Sequence, residues 1–168
     1  MKKDGKALLE KERKKLSVQA MYFNRYLLVR YVSAFFFFTN LYWLILSLLS
    51  DSSFYFIPLI LMVVFIFNFA EQVKMYSTPS NNPKYTKFSF IIILFTNVLL
   101  LLLACIPSSF AQLYPFLVNQ VQSRIAVFII LLTGIAISVL ILYRLNQIKH
   151  NEDKQYKRIK QYEKAINI

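Results

Sequence analysis

Ser33, Asn40 and Ser47 recur at seven-residue spacing inside a stretch that carries no charge. Seven residues is close to two helical turns, so on a helix the three side chains share one stripe. Hydroxyls and carboxamides donate and accept hydrogen bonds but do not titrate near neutral pH. The stripe can therefore bind or pack, but it cannot relay protons. Ser89, Thr96, Asn97 and Ala104 form a comparable stripe further along. Thr133, Gly134 and Ser138 follow, and Gly134 with Ser138 makes a small-xxx-small pair that lets helix backbones approach. The segment between has few such groups, with Asn68 near its inner end.

Two uses of these groups are open. Ser33, Asn40, Ser47, Asn68, Thr96, Asn97, Gly134 and Ser138 can be helix–helix contacts, where facing polar groups contribute about 0.6–2 kcal/mol. Alternatively, Asn40 and Asn97 line a pathway or hold a polar ligand.

The chemistry that is missing narrows the field. Acidic and basic groups at depth mark proton relays, ion coupling and gating. From Tyr31 to Tyr143 the only charges are Asp51, Glu71, Lys74, Lys84, Lys87 and Arg124, and none falls inside an apolar run. The chain has no His-Glu-x-x-His cluster for a metalloprotease. Its one cysteine, Cys105, excludes a Cys-x-x-Cys redox pair and an internal disulfide. Cys105 reads as a small apolar packing residue, and His150 as a solvated one. A serine nucleophile would lack a base within the spans. No catalytic residue, cofactor site or metal site is expected, and the chain reads as a non-enzyme.

The elements that must position these groups follow from the same charge map. The six charges leave four long apolar runs, with spans expected at about Tyr31–Ser50, Phe54–Val73, Phe88–Ile106 and Ile125–Tyr143, the second taking in Glu71 at its inner end. About 20 apolar residues as helix cross a hydrocarbon core. Runs such as Leu99–Leu103 do not alternate as a barrel strand would. The expected fold is all-α, a polytopic membrane protein with a four-helix transmembrane bundle. Residues 30–143 form that domain, flanked by a basic interfacial helix over 1–29 and a helical tail over 144–168.

Lys and Arg are distributed unevenly. Nine lie up to Arg30, three in the loop after span two, and seven from Arg144 to Lys164. The other two loops together hold only Arg124. The positive-inside rule then expects both termini to be cytoplasmic. The net charge of +12 is mostly this orientation signal. Interspersed Asp and Glu, and the lack of a recognition fold, argue against nucleic acid. Anionic headgroups are an expected partner of the basic tails. The charged first 25 residues lack a cleavable apolar core, so span one is expected to be a retained anchor. A composition rich in Phe, Ile, Leu, Tyr, Lys and Asn points to a bacterial plasma membrane.

Phe38-Thr39-Asn40 recurs as Phe95-Thr96-Asn97, an offset of 57. A two-plus-two tandem repeat would produce this, with spans one and three packing through their asparagines. Lys2–Lys15 is expected as helix and Leu16–Leu28 as an interfacial lead-in. Pro107–Arg124 is expected as a short amphipathic surface helix broken at Pro115. Ser77–Pro83 is expected as an irregular turn.

In the tail, helix four is expected to run on into the cytoplasm. Ile148, Tyr156, Ile159, Tyr162 and Ile166 make a stripe, with one gap, that could pair with another helix or lie on the membrane. The functional expectation is an accessory, regulatory or immunity-type membrane subunit that binds another membrane protein or itself. The alternative is an oligomeric pore or transporter protomer with Asn40 and Asn97 on the path.

Overall fold

The computed structural model describes the backbone of residues 2–166 and the side chains of residue 6 and residues 9–166. Among the described residues there are seven helices and no strand. They are α1 (Lys2–Asn24), α2 (Leu27–Leu49), α3 (Phe56–Ser77), α4 (Lys84–Ala104), α5 (Pro107–Leu113), α6 (Val121–Lys149) and α7 (Lys154–Ala165). Four of them, α2, α3, α4 and α6, are long and apolar enough to cross a membrane. No more than a third of the most apolar window of each is buried in the protein. The remaining surface, with exposed Phe38, Phe95 and Ile129, suits lipid as solvent. These features fit a multi-pass membrane protein.

The four long helices form an incomplete ring. α2 packs on α3, α3 on α4 and α4 on α6, whereas α2 and α6 barely touch. Two cores result. Phe36, Phe65 and Phe90 anchor the half nearer the basic termini, with ring centroids 6.0–6.1 Å apart. Leu100, Phe110, Leu113, Tyr114, Val127 and Leu131 fill the far half.

With only two glycines, the chain ends two of its long helices on other residues. Asp51 (φ 50°) closes α2 and Asn151 (φ 58°) closes α6. Asn and Asp tolerate this left-handed conformation better than bulkier residues. Both ends carry the same double bond pattern: Ser52 N to Ser47 O with Asp51 N to Leu48 O, and Glu152 N to Gln147 O with Asn151 N to Ile148 O. This is the Schellman arrangement, which satisfies carbonyls left over at a helix end.

Several elements depart from the sequence expectation. α1 is one helix through Asn24, not a helix followed by a lead-in. α6 starts at Val121 and stops at Lys149, so helix four does not run on through the tail. The gap in the tail stripe is the Asn151 turn, after which α7 folds back on α1. α5 ends just before Pro115, but its apolar face is core: Phe110, Leu113 and Tyr114 are all buried. Cys105 is exposed rather than packed. The turn between α3 and α4 falls at 78–83, close to its expected position.

That turn is held by Glu71 of α3. Its carboxylate accepts from Tyr85 N (3.2 Å), Thr86 N (2.7 Å) and Thr86 Oγ1 (2.8 Å). These amides lie in the first turn of α4 and have no partner within that helix. A carboxylate is also favoured there by the helix dipole. Replacing Glu71 with Ala should lower stability by about 1–2 kcal/mol. Thermal unfolding in detergent should show this, with Glu71→Gln intermediate because one carboxamide oxygen can still accept.

Candidate functional site

Polar residues gather in two places, and they are used differently. At the basic end most of the polar groups are paired, although Arg30 Nη1 and Gln155 Oε1 are buried without a partner among the described residues. Ser33 Oγ donates to Val29 O (2.8 Å) and accepts from Asn68 Nδ2 (3.1 Å) and Gln72 Nε2 (3.0 Å). Gln72 also donates to Asn68 Oδ1. The structure thus brings Ser33 and Asn68 together, with Gln72 as a third member absent from the sequence candidates. Their spacing on different helices hid the cluster, although Asn68 and Gln72 sit four apart on one face.

The larger assembly at this end centres on Arg25, which is 2% exposed. It lies in the corner between α1 and α2. Its Nε donates to Asp153 Oδ2 (3.2 Å) and its Nη2 to Asp153 Oδ1. Nη2 also reaches Asn151 Oδ1 (3.0 Å) and Ile148 O (3.2 Å), while Nη1 reaches Asn81 Oδ1 (3.1 Å). The Tyr156 ring lies 4.9 Å from the guanidinium carbon, within cation–π range. A planar fork with five donors suits this multiple engagement, which a lysine could not reproduce.

Asp153 is 1% exposed and also caps α7, accepting from Tyr156 N (3.1 Å). Burial pushes its carboxyl upward. The hydrogen bonds from Arg25 and Tyr156 N, with the charges of Arg25 and Arg144, together outweigh burial and hold it below the usual aspartate range. Tyr22 adds a second tie from α1 to α7, donating to Glu163 (3.1 Å). The tail stripe therefore faces its own chain. Ile148 and Ile159 are buried, and Tyr156, Tyr162 and Ile166 are half-buried.

The far half holds the other polar residues. A groove of about 730 Å³ opens between α2 and α6. Asn40 and Asn97 both line it, as do Trp43, Thr133 and Gly134. Asn40 Nδ2 donates to Phe36 O (2.7 Å) in its own helix. Asn97 is 8% exposed, yet its amide makes no hydrogen bond to any described residue. The two asparagines are not bonded to each other, so spans one and three do not pack through them. Gly134 leaves the room that Asn97 occupies: a Cβ there would lie 2.6 Å from Asn97 Nδ2.

Ser138 is buried and bonds back to Gly134 O (2.7 Å), so the small-residue face of α6 is used inside the bundle. Ser47 is buried, and its hydroxyl has no partner among the described residues. Thr96 is half-buried, with no side-chain hydrogen bond among them. No group of three or more His, Cys, Asp or Glu that could hold a metal occurs among the described residues.

No family model, curated protein or solved structure matches this chain.

The Arg25–Asp153 pair makes a signed pH prediction. Because the folded carboxyl is held below its ordinary range, its stabilising contribution is full above about pH 4, the usual aspartate value. It is lost as pH falls through the depressed folded value. Unfolding temperature should hold steady from pH 5 to 8 and drop below about pH 4, and Asp153→Asn should flatten that drop. At pH 7, Asp153→Ala should cost about 3–5 kcal/mol, because it leaves a buried guanidinium unpaired. The Arg25→Met, Asp153→Leu double variant should recover part of that loss in the same unfolding assay.

Proposed function

We propose that this chain is a non-catalytic accessory or regulatory subunit of a bacterial plasma membrane, and that it binds another membrane protein at its basic end. Lys and Arg crowd that end, and the positive-inside rule supports a cytoplasmic location for it and for both termini. The Phe-Thr-Asn repeat reads as the trace of a tandem duplication, and both copies contribute an asparagine to the groove.

One observation carries the partner reading. The apolar face of α7 is spent on α1, and this turns the cationic face of α7 outward. Lys154, Lys157, Arg158, Lys160 and Lys164 are all exposed on a helix that Arg25 fixes to the bundle. Lys157, Lys160 and Lys164 line one shallow depression with Gln161, Asn151 and Tyr156; Lys160 is paired with Glu163 (2.7 Å), so Lys157 and Lys164 are the cations on offer there. Fixed cations with an amide and a phenol beside them complement an acidic segment of a partner near the membrane. Such complementarity contributes to association rate and specificity more than to raw affinity.

The pore alternative has less support. Asn40 and Asn97 line a groove that opens sideways, and the Phe36, Phe65 and Phe90 cluster fills the bundle on its basic-end side. The charged residues of the four long helices lie near their ends, and Glu71 is engaged by the first turn of α4.

The test is affinity purification from native membranes, read by mass spectrometry. A membrane protein with an acidic cytoplasmic segment should copurify with the wild type. Its recovery should fall at least fivefold with the Lys157→Glu, Arg158→Glu, Lys164→Glu variant, and with raised salt for the wild type. Recovery of no partner, or of a partner indifferent to the charge reversal, would count against this reading.

A further inference from the structure

Helix α1 is packed along only part of its length. From Ser17 to Phe23 every side chain but Ala20 is half-buried, and the packing is mainly on α3 and α7. From Leu9 to Leu16, roughly 12 Å of helix, every side chain but Lys14 is exposed. This arm is therefore not covered by any other described element.

One face of α1 rests on the ends of the spans. Gln19 Nε2 donates to Tyr76 O, and the Phe23 ring meets the Tyr76 ring edge-on at 5.1 Å. The Phe23 ring also lies 3.6 Å from the guanidinium carbon of Arg30. Tyr76 is in the last turn of α3 and Arg30 in the first turn of α2, so both mark the basic-end boundary of a span. Leu16 stands three residues before Gln19 and seven before Phe23, on the same face. Leu9, seven further back, continues that face with a drift of about 20°. Leu9 and Leu16 are each 58% exposed. The face that meets the span ends at Phe23 thus carries two uncovered leucines further along.

The residues around these leucines separate two kinds of cover. A second helix, from a partner or another copy, needs apolar residues alternating three and four apart. The positions three and four after Leu9 are Glu12 and Arg13, and those after Leu16 are Gln19 and Ala20. That seam is absent. A lipid surface needs only an apolar stripe with cations beside it. Among the described residues of the arm, Glu10 is paired with Lys14 (2.9 Å), which leaves Lys6, Lys11, Arg13 and Lys15 against Glu12. The excess of cations favours an anionic leaflet. Arg30 adds a cation at the span boundary. It pairs with no carboxylate among the described residues, and its Nη2 reaches only Asn24 Oδ1, at 3.5 Å.

We infer that the arm of α1 lies along the anionic leaflet at the basic end of the bundle, with Leu9 and Leu16 among the acyl chains and Lys6, Arg13, Lys15 and Arg30 at the headgroup phosphates. This surface is separate from the cationic face of α7 and does not rest on the partner reading.

Single cysteines in the full chain test it, with Cys105→Ser as background. Leu9→Cys and Leu16→Cys lie on the stripe, and Lys11→Cys lies on the opposite face of the helix. Each is labelled with an environment-sensitive fluorophore and reconstituted in phosphatidylcholine vesicles with or without phosphatidylglycerol. In the vesicles with phosphatidylglycerol, lipids with brominated chains should quench the probes at positions 9 and 16 at least threefold more than the probe at 11. Omitting phosphatidylglycerol, or adding Lys6→Glu, Arg13→Glu and Lys15→Glu, should lower quenching at 9 and 16 at least twofold. The reversed positions are exposed, so helix content by circular dichroism should be unchanged.

Equal quenching at the three positions would overturn the proposal, as would quenching at 9 and 16 that neither the lipid nor the charge reversal alters. Probes at 9 and 16 shielded from both brominated lipid and aqueous iodide would assign the stripe to a second copy, and the proposal would fall. These vesicles hold no partner protein, so the outcome leaves the reading of α7 to its own test.

Discussion

One buried guanidinium holds the basic end of this protein together. Arg25 takes acceptors from the α3–α4 turn and the α6–α7 turn while itself occupying the α1–α2 corner. Three of the bundle's connections therefore meet at one side chain. Burying an isolated charge would be prohibitive. It is tolerated here because Asp153 neutralises the charge and Asn81, Asn151 and the Ile148 carbonyl accept its remaining hydrogens. The consequence is directional. Wherever α6 goes, α7 and α1 go with it, so the cationic face of α7 has a fixed position relative to the spans.

The same economy appears in the turns. A chain with two glycines must end its helices on other residues, and it uses Asp51 and Asn151. Asn151 then does double duty, because its carboxamide oxygen also accepts from Arg25 and from Asn81 Nδ2 (3.1 Å). Glycine would suit the backbone there at least as well but would remove that acceptor. The left-handed turn and the ion pair are therefore coupled in sequence: Asn151 sets the reversal, and Asp153, two residues on, caps the next helix and meets Arg25.

The apolar architecture was legible in the sequence because charge placement in long uncharged runs has one physical solution. Four helices appear where four blocks were expected, and the Pro- and Asn-rich turn falls at its expected place. The latch was not legible. Counting Lys and Arg as an orientation signal treats them as interchangeable, so Arg25 was one of nine cations in a tail. The usable clue was the break in the tail stripe between Ile148 and Tyr156, across Asn151-Glu152-Asp153, which marks a turn and a cap rather than a frayed continuous helix. Asn40 and Asn97 were legible as candidates because polar side chains in apolar runs stand out. That both would face one groove without bonding each other depends on how far α2 sits from α4 and α6, which no spacing encodes.

That separation has a cause in the far segment. Proline 115 and the short α5 send Tyr114 back into the bundle, where its ring stacks on Trp43 at 5.8 Å. Tyr114 also packs with Phe110 and Phe116, so an aromatic wedge roofs the groove. At the other end, the Phe36, Phe65 and Phe90 cluster closes it off. The polar groups follow this division. Most of those at the basic end pair within the chain, whereas Asn97, between wedge and cluster, makes no side-chain hydrogen bond among the described residues. Leucine at 97 would pack against lipid or protein without that penalty. A bundle selected only for packing has no need of an amide there, nor of the glycine that makes room for it.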